Sequence, residues 1–250
     1  MIVTVIFLIL TILSAAALAM ILFLSVYGAI AGIRRKTAGK RPVRLKKAVI
    51  CFAVTVILNL ALITISQLTA STPPIADGNG KTPENSIAEL IQIELNGRKQ
   101  WISIRGWDKY APVLLFLAGG PGGTQMAAVR HELAELEKHF VVVNWDQPGS
   151  GKSYYAERIN NITARTYIQD GYALTEYLKD RFSQEKIYLM GESWGSALGI
   201  FLINDYPESF HAFIGTGQMV AFAETERMDY HKAIEIARSK GDDGVVKRLL

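Results

Sequence analysis

Two long apolar runs open the chain, and the pattern changes character after them. Residues 2–33 carry no charged side chain and almost no polar one, which predicts a helix able to cross a hydrocarbon core with some tilt. A second uncharged run, 48–70, predicts another, with Asn59 mid-span where a helix–helix hydrogen bond would be expected. With 34–47 as the connecting loop, residues 1–70 read as a two-helix membrane hairpin. From 71 to 84 the pattern dissolves into Pro, Gly, Ser and Asn, the composition of a linker. Shorter periods begin at 85. Ala88–Leu95 and Trp101–Arg105 flank Asn96-Gly97 and predict an antiparallel hairpin. Val113–Leu117, Phe140–Trp145, Ile187–Met190 and Phe210–Ile214 have the length and apolar content of buried strands. Between them, Met126, Val129, Leu133 and Leu136 share a helical face behind a candidate cap at Thr124. Tyr167, Leu174 and Leu178 mark a second helix; Leu198, Phe201 and Leu202 mark a third, stopped by Pro207. Residues 223–250 read as largely helical. Strands alternating with helices make the fold class α/β, a mostly parallel sheet covered on both faces, with 85–222 as its core.

Charge sharpens this division. Eight of the 27 lysines and arginines lie in 34–47, and 1–71 holds no acid. The positive-inside rule therefore puts the loop in the cytoplasm and both termini outside, a multi-pass protein of the cell membrane with an extracellular globular part. The loop's cations would also favour anionic lipid. Basic residues follow the first apolar run rather than precede it, which favours a retained helix over a signal peptide. The remaining residues hold 19 basic against 23 acidic side chains, a balance that offers no nucleic-acid footprint. Cys51 is the only cysteine, so no disulfide forms within the chain.

Gly191-Glu192-Ser193-Trp194-Gly195 stands between a predicted strand and a predicted helix. Strand, G-x-S-x-G and helix together make the nucleophile elbow of α/β-hydrolases. A serine hydroxyl is a weak nucleophile and must stand on a tight turn where a base reaches it. Ser193 is the candidate nucleophile. The backbone N–H of Trp194 is one candidate oxyanion donor, and Gly119 or Gly120, after the Val113 strand, supplies the other. Read without the elbow, the glycine run is merely a tight turn. Gly151-Lys152-Ser153 suggests a phosphate loop, but that motif needs a glycine where Asp146 stands.

Three motifs occur in order: Gly119-Gly120-Pro121-Gly122-Gly123, Asp146-Gln147-x-Gly149-Ser150-Gly151-x-Ser153, and Gly191-x-Ser193-Trp194-Gly195-Ser196. Over residues 85–250 the chain resembles the prolyl aminopeptidases (proline iminopeptidases) and their α/β-hydrolase relatives. The resemblance implies a serine peptidase that releases an N-terminal residue, often proline, through an acyl-enzyme on Ser193. It implies a helical cap beginning in 223–250, the region where this family uses acids to hold the substrate amine; Glu224 and Glu226 lie there but do not match those positions. Peptide or small acyl substrate and the bilayer are the expected partners; no metal or organic cofactor is implied. Ala118 stands where the family usually has histidine, Pro148 where it usually has arginine, and the membrane hairpin is an addition. In this fold the order is Ser, then Asp or Glu, then His. The resemblance places the last two after residue 250, so the fold is expected to be C-terminally incomplete. His131, His139, His211 and His231 read as surface or packing residues. An esterase on the same scaffold and a catalytically inactive membrane protein stay open as alternatives.

Overall fold

The structure, a computed structural model, describes residues 2–33 and 41–250 and forms two compact units, Met1–Ala70 and Ser71–Leu250. In the first, α1 (Ile2–Ile33) and α2 (Arg41–Leu68) are both long and apolar enough to cross a bilayer. Helix α2 begins seven residues before the second apolar run, so part of the expected loop is helical. Lysine and arginine are good helix formers, and Pro42 falls in the first turn, where its missing N–H costs nothing. Arg34, Arg35, Lys36 and Lys40 lie outside the described residues. The less exposed positions recur every four and three residues: Leu10, Ser14, Ala17, Ile21, Leu24 and Gly28 on α1, with Ala48, Phe52, Thr55, Asn59 and Leu62 on α2. That is the seam of a heptad repeat. A hydrogen bond across it runs from Ser14 Oγ to Thr55 Oγ1, 2.9 Å. Among the described residues, Asn59 Oδ1 is buried without a hydrogen-bond partner, so the bond expected there is not seen.

In the second unit the described residues form a six-stranded sheet in the order β1-β2-β4-β3-β5-β6. The strands are β1 (Ile87–Leu95), β2 (Arg98–Gly106), β3 (Val113–Leu117), β4 (Val141–Asp146), β5 (Ile187–Glu192) and β6 (Phe210–Thr216). Asn96 and Gly97 both take positive φ, 49° and 78°, as a two-residue turn matched to strand twist requires. Strands β1 and β2 pair antiparallel, β2 runs antiparallel to β4, and β3 to β6 are parallel to one another. Both faces of β3 are covered. Val113, Leu115 and Leu117 join α4 (Ala164–Phe182) and α5 (Trp194–Asp205) in one apolar layer; Leu114 and Phe116 join Val129 of α3 (Met126–Glu132) in the other. Helices α6 (Phe222–Ser239) and α7 (Asp243–Leu249) follow and are mostly exposed, with Tyr230 Oη donating to Leu249 O at 2.7 Å.

Two parts differ from expectation. Thr124 does not cap α3; Gln125 is its N-cap residue, without a side-chain cap bond, and the helix gives way to a 3-10 turn at Ala134–Lys138. The front of the expected linker is a strap. Ile75 is buried, and Arg105 Nη1 donates to Thr72 Oγ1 at 2.7 Å and to Pro73 O, while its other nitrogens grip buried Glu137.

Candidate active site

The carboxyl ends of the parallel strands converge, the place where open α/β sheets bind their ligands. Strand β5 ends at Glu192, and the chain reverses at once into α5, which forces Ser193 to φ 51° and ψ −118°. A β-carbon at such a φ is strained, and strain of this kind collects where a side chain must be held out for chemistry. Ser193 is exposed. Its N–H donates to Thr216 O at 3.0 Å, tying the turn to the end of β6. The turn is tight enough for strand and helix to touch. A methyl group on Gly191 would overlap Gly195 O, and one on Gly195 would overlap Leu117 O.

Facing the elbow is the glycine turn after β3. A Cβ on Gly119 would sit 3.3 Å from Glu192 O and 3.4 Å from Ser193 Cβ, so glycine lets the two turns close on each other. Gly120 has φ 136°, open to glycine and to almost nothing else. Of the sequence-derived donors, the Trp194 N–H is the first of α5 and has no acceptor within its helix. The Gly119 N–H is already used: it donates to Gln125 Oε1 at 2.8 Å. Of the two glycines expected to donate, Gly120 is therefore the one whose N–H Gln125 does not occupy.

The loop after β4 holds these two turns together. Gln147 Nε2 donates to Ala118 O at 3.1 Å, and Gln147 Oε1 accepts from Trp194 Nε1 at 3.1 Å. The Trp194 ring also meets Tyr167 edge to face at 5.5 Å. Asp146 ties its own loop, accepting from Lys152 N at 2.7 Å, and reaches the glycine turn through Thr124 Oγ1. Sequence reasoning gave Gln147 and Thr124 no such roles, and Gln125 was not singled out. All three are defined by partners distant in sequence.

Burial raises the Asp146 carboxyl above its ordinary value, outweighing the hydrogen bonds from Thr124 and Lys152 that favour its ionised form. The folded state thus keeps this proton to higher pH than the unfolded chain does. Its contribution to stability falls as pH rises from about 4 to the raised value, then stays level. Asp146→Asn removes that titration. The melting temperature of the unmodified protein relative to Asp146→Asn is expected to drop between pH 4 and 7; a flat or rising difference would contradict this.

The alpha/beta hydrolase fold family matches residues 112–240, just over half of the chain, and that span holds the elbow, the glycine turn and the bracing loop. The chain belongs to this family. Probable aminopeptidase YbaC of Bacillus subtilis (strain 168) is 40% identical over 159 residues, covering 63% of this chain and 50% of that protein. A proline iminopeptidase of Lactobacillus helveticus (strain DPC 4571) is 32% identical over 131 residues, covering 50% and 43%. The chain thus spans about half the length of these curated relatives. Among solved structures, a proline iminopeptidase-related protein from Thermus thermophilus superposes with a TM-score of 0.50 at 22% identity, covering 66% of this chain and 56% of that one, a likeness of fold.

In an alpha/beta hydrolase the elbow serine needs an acid and a histidine. Among the described residues none donates to or accepts from Ser193 Oγ. His211 opens β6 at the far end of the sheet, roughly 16 Å of strand from Thr216. His131 pairs with its neighbour Glu132 on α3, and His231 is exposed on α6 beside Tyr230. Glu224 and Glu226 are exposed at the start of α6, with no partner that marks them as a binding pair. No group of three His, Cys, Asp or Glu among the described residues can hold a metal.

Proposed function

We propose that these residues form the nucleophile-bearing part of a membrane-anchored serine hydrolase of aminopeptidase type. The observation that carries the reading is Ser193, held at positive φ on a strand–helix turn and facing the glycine run. In the mechanism, Ser193 Oγ gives its proton to the base as it attacks the carbonyl carbon of an N-terminal residue. The N–H groups of Trp194 and Gly120 take the developing oxyanion, aided by the positive end of α5. The C–N bond then breaks, the leaving amine takes a proton from the base, and water hydrolyses the acyl-enzyme. None of the described residues is placed to serve as the base or its orienting acid, so this reading takes both from elsewhere. The outer edge of β6 supports that: His211, Ala212 and Ile214 are exposed, and so are Ile200 and Phe201 on α5, a helix that is apolar all round. The hairpin anchors the enzyme, with the basic end of α2 in the cytoplasm and the hydrolase unit outside.

The substrate class is tested by joining the chain after Leu250 to the C-terminal half of the Bacillus subtilis relative. The prolyl amide of a chromogenic amine is compared with its N-acetylated form and with an acyl ester. An aminopeptidase should prefer the free amine over the N-acetyl form by about a hundredfold or more in kcat/KM. Equal turnover of both amides, or turnover of the ester alone, would favour an esterase.

A further inference from the structure

Two groups of fixed and opposite hydrogen-bonding character stand on either side of Gln125. On one side the Gly119 N–H, which can only donate, gives its hydrogen to Gln125 Oε1 at 2.8 Å. On the other, the Glu192 carboxylate, which when ionised can only accept, takes a hydrogen from Gln125 Nε2. A side chain between them must accept at one end and donate at the other. A primary amide does both, and turning it over would spoil both bonds, so the orientation is fixed by its neighbours. Glu192 is the residue before the nucleophile, and Gly119 leads into the run that supplies the oxyanion donor. Gln125 also sits at the N-cap of α3, where its carbonyl accepts from Val129 N at 2.8 Å, so its backbone is anchored independently.

We propose that Gln125 is a positioning residue that locks the glycine turn to the nucleophile elbow through Gly119 and Glu192. The inference rests on the reading of Ser193 as nucleophile and deepens it. By occupying the Gly119 N–H and fixing the plane of that peptide, the amide leaves Gly120 as the turn's donor and sets its distance from the Trp194 N–H. Oxyanion donors act through pre-set geometry, so a turn free to rock would weaken stabilisation of the transition state without removing any reacting group.

The lock makes a reciprocal prediction. Gln125→Glu puts a second carboxylate against Glu192 and breaks the bridge. Adding Glu192→Gln restores it with the polarity reversed, because the carboxylate introduced at position 125 would then accept from both the Gly119 N–H and the new amide. The full chain in lipid nanodiscs at pH 8 is followed by residue-resolved hydrogen exchange, and Ser193 by its rate of fluorophosphonate labelling. Gln125→Glu should speed exchange of the Gly119 amide roughly tenfold and slow labelling, and the double variant should bring both back near the starting values. Unchanged Gly119 exchange in Gln125→Glu, or failure of the double variant to recover it, would overturn the proposal. If Gln125→Glu unfolds, seen as faster exchange throughout β3 and β5, Gln125→Met decides by the same readout: faster exchange confined to 118–124 supports the lock, and unchanged exchange refutes it. If the unmodified chain is not labelled at Ser193 in any form, the nucleophile reading fails, and exchange alone judges Gln125.

Discussion

Changing Ser193 to alanine is expected to lower kcat of the joined hydrolase by about a millionfold while leaving its melting temperature nearly unchanged. The two halves of that expectation come from separate observations. Activity should collapse because, in the proposed mechanism, the hydroxyl forms the acyl bond, and neither the glycine turn nor Trp194 can supply a nucleophile. Stability holds because Ser193 Oγ makes no hydrogen bond among the described residues. The turn itself rests on backbone contacts, Ser193 N to Thr216 O and the close passage of Gly191 and Gly195. A loss of activity accompanied by a large drop in melting temperature would instead make Ser193 a structural residue. Retained turnover would remove it from the chemistry altogether.

Asp170→Ala is expected to be the most damaging single change to the fold of the hydrolase unit. Its carboxylate is fully buried and takes hydrogen bonds from Asn96 Nδ2 at 2.8 Å, Arg98 Nε at 3.0 Å, Arg98 Nη2 at 2.5 Å and Gln100 Nε2 at 2.7 Å. Gln100 Oε1 in turn accepts from Trp145 Nε1 at 2.8 Å, so one side chain on α4 braces the β1–β2 hairpin and the tryptophan of β4. Removing it strands a half-buried guanidinium and a buried amide. Breaking a buried ion pair from one side costs about 3–5 kcal/mol, a large share of a total of about 5–15. In a unit of this size that lowers the melting temperature by roughly 10 °C. Asp170→Asn keeps some of the acceptors and should fall between. A shift under about 3 °C for the alanine variant would show that the hairpin is held by its apolar face alone.

What the sequence revealed and what it concealed separate by distance along the chain. The elbow was legible because its information is local: an apolar strand, two glycines around a serine, then a helix. The Asn96-Gly97 turn and the two apolar helices were legible for the same reason, turn chemistry in one case and hydropathy in the other. The contacts that set the site's geometry are not local. Gln125 meets Glu192, Gln147 meets Trp194 and Asp170 meets Asn96 across dozens of residues, and a side-chain hydrogen bond of that kind leaves no periodic trace. Thr124 misled because a threonine before an apolar helical face is a good cap; a buried carboxylate nearby was the stronger attraction. The strap at 72–75 was hidden in a stretch rich in proline and serine, because its anchor, Arg105, lies on a strand thirty-odd residues away. The early start of α2 reflects helix-forming cations that hydropathy counts as the end of a span.

The most direct measurement is the site of fluorophosphonate attachment, mapped by peptide mass in the joined hydrolase and in the 250-residue chain. The account predicts one adduct, on the peptide containing Ser193. It should be absent from Ser193→Ala, and formed far more slowly by the chain alone, because none of the described residues hydrogen-bonds Ser193 Oγ to act as its base. Attachment at Ser150, Ser153 or Ser196 instead, or no adduct on Ser193 in the joined form, would contradict it.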